Sequence, residues 1–509
     1  SKANAEAEAF SASIVTGAGD DRITNRGLLT TESTANATAV SAGLAVGQPP
    51  ADNGDNDNDP PIPATPDKIT SKSETNVTAK AHGYGIDADG LAEEVITEGS
   101  LSIGTGGLDF NLSRERQLAS GDDSVNNLFA IVVDSSASAD STNASIQLDA
   151  VGSVNSEAKA TAEALAAGSA TGAGDDTVVN SGLVTVDAAA NADSISLGLT
   201  ASKPPEGETN DQSGTTKKDK TNVKSEAGAT ATATAAGIDA EGRDHLQTTS
   251  GGLQISGSDL NFQLSRETES LAGSDAVTNT GVMTTTAVAD SGALSAGISI
   301  NAEGSVDSEA SSKATARADG ILTGGGADTV NNQALLTSSS TATATALAVS
   351  VSVAQPTDEN GDKPSLWEKI KEKFASANSK ANAEATSVAT GIDTEGDAGR
   401  QGDNLNVNIS STGLIVDVDR QFTTAAGNDT VTNSGVLDAT ATARTLAGAA
   451  DVKIETEGTA SSETNATAKA QVGGMLTGGG IDTVTNSGAI TAAADAEAGA
   501  VAVSFTQPD

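Results

Sequence analysis

Alanine alternates with polar residues over long stretches of this chain. In Ser156–Ala166 (SEAKATAEALA) every second residue from Ala158 to Ala166 is alanine, with Lys, Thr, Glu and Leu between them. Ser225–Ala235 repeats the pattern from Ala227 to Ala235, and shorter runs lie at Val77, Ala79 and Ala81, at Ala314, Ala316 and Ala318, at Ala381, Ala383 and Ala385, and at Ala466, Ala468 and Ala470. The chain opens in the same phase, with Ala3, Ala5, Ala7 and Ala9. Side chains of a strand point to opposite faces in turn, so period two predicts strands with one small apolar face. Alanine alone favours helix. Strict alternation with Thr, Ser, Asn, Lys and Glu outweighs that preference. A second kind of long strand is predicted at Leu183–Thr200 and Val282–Ile300.

Between these strands one phrase returns, at its fullest in Thr171–Gly182 (TGAGDDTVVNSG): a glycine-rich turn, an aspartate, an apolar step, then Asn-Ser-Gly. The aspartate before the apolar step recurs at Asp21, Asp123, Asp176, Asp275, Asp328, Asp429 and Asp482, at intervals of 102, 53, 99, 53, 101 and 53 residues. Long and short units therefore alternate, within a larger period of about 152–155 residues. The predicted fold is all-β: a parallel β-solenoid of about seven coils, with polar loop insertions and one short amphipathic helix. In each coil a short strand, a corner, a long strand, a turn such as Asn301–Gly304 and an alanine strand follow one another. Coils ~4.8 Å apart give a rod on the order of 30–35 Å tall. The alanine faces predict that the broad sheets sit closer than the usual ~10 Å. Residues 1–509 read as a single array with internal periods of approximately 1–155, 156–307 and 308–460 and a partial 461–509.

The long units carry two additions. One is a polar, Pro- and charge-rich insertion, at 48–72, 203–221 and 355–378, read as a surface excursion. The third holds the predicted helix. Ser365 can cap it, Glu368 completes a capping box, and Leu366, Trp367, Ile370 and Phe374 form an apolar stripe. That stripe either packs on the solenoid flank or contacts a neighbouring molecule. The other addition is a β-excursion ending in LDFNLSRE, LNFQLSRE and LIVDVDRQ. It places Arg114, Arg266 and Arg420 nine residues before a motif aspartate, either reaching the aspartate row or solvated.

Composition narrows the class. Hydrophobic residues make up 36% and aromatics 2%, too few large apolar groups for ordinary globular cores. A net charge of −41 would suit a disordered chain, but disorder does not keep fixed spacings. The acidity repels nucleic acid and anionic membranes and attracts divalent cations. There is no cysteine, hence no disulfide or thiol metal site. No apolar run is long enough to span a bilayer. The N-terminus is not a signal peptide and enters in mid-repeat, as in a chain processed or excised from something longer.

Stacking in register would place the seven motif aspartates in a column. Carboxylates ~4.8 Å apart repel by about 3 kcal/mol at an effective dielectric of 20, so the column needs a counter-ion, an arginine or protonation. Carboxylates beside glycine-turn carbonyls suit calcium. The candidate metal ligands are the seven motif aspartates together with Asp20, Asp122 and Asp175. These residues carry a resemblance: TGAGDDTVV is similar to the RTX-type calcium-binding nonapeptide GGxGxDxUx, through Gly172, Gly174, Asp176 and Val178. Gly17, Gly19, Asp21 and Ile23 match likewise, as do the copies ending at Val330 and Val484. The resemblance implies an aspartate ligating calcium between turns. Against it, the first glycine is Thr16, Thr171, Thr323 or Thr477, three copies lack the second glycine, and the nonapeptides are not in tandem. The alternative is plain turn chemistry, with left-handed glycines and Asp caps. More broadly the chain resembles repetitive β-helical bacterial surface proteins, adhesins and autotransporter-type passengers, which implies an extracellular or cell-surface place in a prokaryote.

Asn25, Asn127, Asn180, Asn279, Asn332, Asn433 and Asn486 are expected to stack as an amide ladder. Catalysis finds little support. The two histidines, His82 and His245, have no counterpart in the third period, and the acidic pairs belong to the repeat. Asn36, Asn76, Asn143, Asn408 and Asn465 head glycosylation sequons. The chain ends at Gln507-Pro508-Asp509, where earlier units begin their polar loop, and it starts with the strand that follows such a loop. Asp509 of one copy and Ser1 of the next would complete a coil. The expected function is a non-enzymatic extracellular filament subunit, stacked head to tail, calcium-stabilised and able to bundle laterally. The alternative is an adhesin or passenger stalk presenting a binding region outside this chain.

Overall fold

The structure is a computed structural model. It describes residues 1–17, 19–47, 68–88, 92–104, 107–119, 121–148, 151–172, 174–201, 221–241, 244–256, 259–271, 273–300, 304–353, 375–395, 399–410, 413–424, 427–454 and 459–507. The predicted helix with Leu366, Trp367, Ile370 and Phe374, the turn residues Asn301–Glu303, and Asp509 lie outside the described residues.

Each coil contributes three strands to the solenoid. The first coil has Lys2–Val15, Arg22–Asn25 and Leu29–Val46, and the seventh has Ala460–Leu476, Thr483–Asn486 and Ala489–Gln507. Equivalent strands stack into three seven-stranded sheets, two broad and one narrow, with every pair parallel. Register is kept residue for residue: Ala231 pairs with Ala162 on one side and Ala314 on the other. The predicted solenoid is therefore the fold, and among the described residues there is no helix. The long strands foreseen from Leu183 and Val282 run as Val184–Ala201 and Met283–Ile300. Strands Lys68–Asp87 and Ala375–Asp393 begin at the far ends of two insertion ranges, whose Pro- and charge-rich stretches 48–67 and 355–374 lie outside the described residues. Exposed strand charges pair along the sheet, as Lys2 Nζ does with Glu74 at 2.9 Å, whereas Asp451 and Lys453 are buried.

The core is thin. Ala79, Ala162, Ala231 and Ala314 are fully buried between the broad sheets. Serine hydroxyls of one broad sheet donate to main-chain carbonyls of the other: Ser135 to Ala81 at 2.7 Å, Ser194 to Ala158 at 2.8 Å, Ser295 to Ser225 at 2.7 Å. A side chain one atom longer than alanine reaches the opposite backbone, so the sheets lie well inside the ~10 Å of ordinary sandwiches. Larger groups need a gap opposite them. Ile131, Val184, Met283 and Leu336 press against the glycine column Gly85, Gly168, Gly237 and Gly320. A Cβ on Gly237 would sit 2.1 Å from Met283 Sδ and 2.6 Å from the Gly320 carbonyl. Alternation also turns Asn143 inward. Its Nδ2 donates to the Ser73 and Glu157 carbonyls at 2.6 Å each, which removes that sequon from the surface.

The second addition of the long units is a β-hairpin. The hairpins Ala92–Gly104 with Gly107–Ala119, Asp244–Ser256 with Asp259–Leu271, and Gly399–Ser410 with Gly413–Thr424 join one another in a six-stranded antiparallel side sheet. Its spacing explains why long and short units alternate. A hairpin is two strands wide, ~9.6 Å, which equals two coils. Hairpins on alternate coils therefore meet edge to edge, whereas hairpins on every coil would collide.

Candidate functional site

The corner before the narrow sheet gathers the recurring motif. Its apolar step (Val125, Val178, Val277, Val330, Val431) turns inward and is buried, which fixes the aspartate two residues earlier on the same inner face. The aspartates form one continuous ladder. The N–H of Asp21 donates to Asp123 Oδ1 at 2.8 Å, Asp123 to Asp176 at 2.8 Å, Asp176 to Asp275 at 2.9 Å, Asp275 to Asp328 at 2.9 Å, Asp328 to Asp429 at 3.0 Å and Asp429 to Asp482 at 3.1 Å. Each carboxyl thus leans back toward the preceding coil and takes the place of a backbone carbonyl where the strand ladder breaks.

A second ladder runs the opposite way on the exposed side. The Asp122 N–H donates to Asp20 Oδ1 at 3.1 Å, Asp175 to Asp122 at 2.9 Å and Ser274 to Asp175 at 2.8 Å. Successive N–H groups of an extended chain point to opposite neighbours, which gives the two ladders their opposite directions. From the second coil on, the glycine two residues before each inner aspartate is required by contact. A Cβ on Gly273 would lie 1.5 Å from the Gly174 carbonyl oxygen, and one on Gly427 would lie 1.2 Å from that of Gly326. In the short units Gly172, Gly174, Gly324, Gly326, Gly478 and Gly480 also have positive φ, which turns the chain directly from the alanine strand into the motif. The long units enter the motif from the hairpin instead, so the earlier glycine is missing there.

Burial dominates the chemistry of the inner column. It pushes Asp176 up to about 7, Asp275 up to about 9 and Asp328 up to about 7, against the opposing effect of the backbone N–H bond each accepts. Thr323 donates to Asp328 Oδ2 at 2.7 Å and Thr394 to Asp429 Oδ2 at 2.8 Å. The Oδ2 atom of Asp275 is buried without a hydrogen-bond partner.

The column does not fit calcium. Calcium takes 6–8 oxygens, whereas here one oxygen of each carboxyl is committed to an N–H and the glycine carbonyls are pressed against the next coil's backbone. Among the described residues no group of three or more His, Cys, Asp or Glu is arranged to hold a metal ion. Burial raises Asp176, Asp275 and Asp328, so these three carboxyls keep their protons to higher pH within the ladder, which lessens the repulsion foreseen there.

The expected asparagine ladder is present. Nδ2 donates to the next Oδ1 from Asn25 to Asn127, and on through Asn180, Asn279, Asn332 and Asn433 to Asn486, at 2.7–2.8 Å throughout. Arg114 and Arg266 are exposed on the side sheet, and the Arg420 side chain lies outside the described residues. One ion cluster escaped the sequence reading. Arg317 Nε bonds Asp319 at 2.5 Å and its Nη2 reaches Asp393 at 3.2 Å. Burial raises Asp319 to about 6 against the pull of that guanidinium. Only the break in the alanine strand, Arg317-Ala318-Asp319, marks it in sequence.

No family model matches the chain, and no curated protein or solved structure matches it either. Among the described residues no helix is long and apolar enough to cross a membrane.

Proposed function

We propose that the chain is a non-enzymatic structural rod, a unit of an extracellular filament or stalk that grows by coil-on-coil stacking, head to tail. The observation that carries this reading is the identical register of every coil. The Asp and Asn ladders run unbroken through all seven levels. Inner-face positions such as Val431 and Val484, or Leu437 and Ile490, pair directly from one coil to the next, so each coil offers its neighbour the same stacking surface. Repetition favours this role over catalysis, since each column offers the same group at every level and none offers a unique dyad. On this reading calcium acts as a counter-ion along the exposed Asp20, Asp122 and Asp175, and not as an ion held in the inner column.

The test is negative-stain imaging and sedimentation of the full chain beside Val484→Asp, with and without calcium. Wild type should form rods longer than one copy, and the variant should stay at single-copy length. Single-copy rods from wild type at every concentration would overturn the reading.

A further inference from the structure

The side sheet has two unlike faces. Register places Phe110, Leu253, Phe262 and Val407 in one row across four neighbouring strands. Leu112, Gly251, Leu264 and Leu405 form the next row, two residues along and so on the same face. The other face of these strands carries Asp109, Asn111, Ser113, Asn261 and Gln263. A sheet with one apolar face normally rests it on a second layer. Beyond isolated contacts, these strands pack on one another and not on the three solenoid sheets. Phe110, Leu112 and Leu264 remain 39%, 44% and 40% exposed.

We propose that this apolar face is a lateral docking surface for a second copy of the chain, side sheet against side sheet. The proposal rests on the rod reading above and names where rods pair. Three observations select that occupant. The first is period. The rows repeat every two coils, ~9.6 Å, and a partner built on the same coil spacing meets every hairpin in turn.

The second is area. Six strands of 12 or 13 residues cover roughly 30 by 40 Å, more than the ~800 Å² per partner of a standard interface. The third is charge. At a net charge of −41 two rods repel over most of their surface. The two apolar rows carry no charge, and in the row next to them Arg114 and Arg266 are exposed, with Asp403 paired opposite Arg266. On this face two copies bring uncharged rows together, and the one acid in the row beside them lies opposite an arginine.

The chain has no cysteine, so single cysteines report contacts cleanly. Leu112→Cys and Asn111→Cys place the thiol on opposite faces of one strand. Under mild oxidation the full-length Leu112→Cys protein should form disulfide-linked pairs at least tenfold more than Asn111→Cys. In parallel, Leu264→Asp should convert double-width rods to single width in negative stain, while Gln263→Asp, the same charge on the polar face, should keep the double width. Equal cross-linking from both faces, or single-width rods from wild type at every concentration, would overturn the proposal. Width reports this interface and length reports end-to-end stacking, so either reading can fail without the other.

Discussion

The backbone N–H of Asp176 donates to Oδ1 of Asp275, one coil further on, at 2.9 Å. The acceptor is a carboxyl that burial raises to about 9, so at neutral pH it is a neutral group. Asn presents the same oxygen without a titrating proton. Asp275→Asn is therefore expected to hold or raise the melting temperature at pH 8. Asp275→Ala removes the acceptor, leaves a buried N–H unsatisfied and should cost ~1–3 kcal/mol. Thermal melts of the two variants side by side check this, and equal losses would show that the ladder bond contributes nothing.

The same carboxyls set a pH dependence. In the unfolded chain these aspartates titrate near the ordinary ~3.9. In the fold Asp176 and Asp328 are raised to about 7 and Asp275 to about 9. Between those values the folded state holds protons that the unfolded state has released, so stability falls as pH rises. It should be highest at about pH 4 and below, decline from there by up to ~1.4 kcal/mol per pH unit for each of these groups, and level off once pH passes the folded-state values of about 7 and about 9. A calcium-held column would behave oppositely, gaining stability as carboxylates ionise and losing it to a chelator. Melts from pH 4 to 10, each with EDTA and with calcium, separate the two.

Much of this architecture was legible in the sequence because a solenoid writes its fold once per coil. The 53-residue spacing between Asp123 and Asp176 is one coil, and the alternation at Ala227–Ala235 is one strand face. The ladders followed from register alone. The state of the aspartates did not follow, because spacing says nothing of burial. Gly172, Gly174 and Asp176 share their turn chemistry with a calcium loop: positive-φ glycines and an Asp that accepts from a neighbouring backbone N–H. The union of the hairpins was hidden too, since Phe110 and Phe262 lie far apart in sequence and face the same way only through the pairing of each with Leu253.

The glycines divide by what a methyl group would meet. Gly237 faces Met283 Sδ at 2.1 Å and the Gly320 carbonyl at 2.6 Å from an added Cβ. Gly228, in the same strand, has only Lys159 Cγ, at 3.8 Å. Gly237→Ala forces the two broad sheets apart and should cost ~1–3 kcal/mol as overpacking. Gly228→Ala should be neutral or stabilising by ~0.4–1 kcal/mol, through a stiffer unfolded chain. Denaturant titration of both variants tests whether sheet separation or local backbone freedom limits the rod. If both are tolerated alike, the close approach of the sheets is wrong.

The two-coil period predicts which deletions the rod survives. Removing residues 124–176 excises one coil of 53 residues and joins matching points of the motif, so the three solenoid sheets can still close. It also brings the hairpins at 92–119 and 244–271 onto adjacent coils, where two strands must fit into one coil's ~4.8 Å. Removing residues 124–275 excises a whole period and restores the two-coil spacing. The shorter deletion should lower the melting temperature and expose one hairpin to protease. The longer one should keep both properties near wild type, apart from the loss expected of a shorter array. Hairpins that stay protease-resistant after the 53-residue deletion would show that the side sheet does not impose the alternation of long and short units.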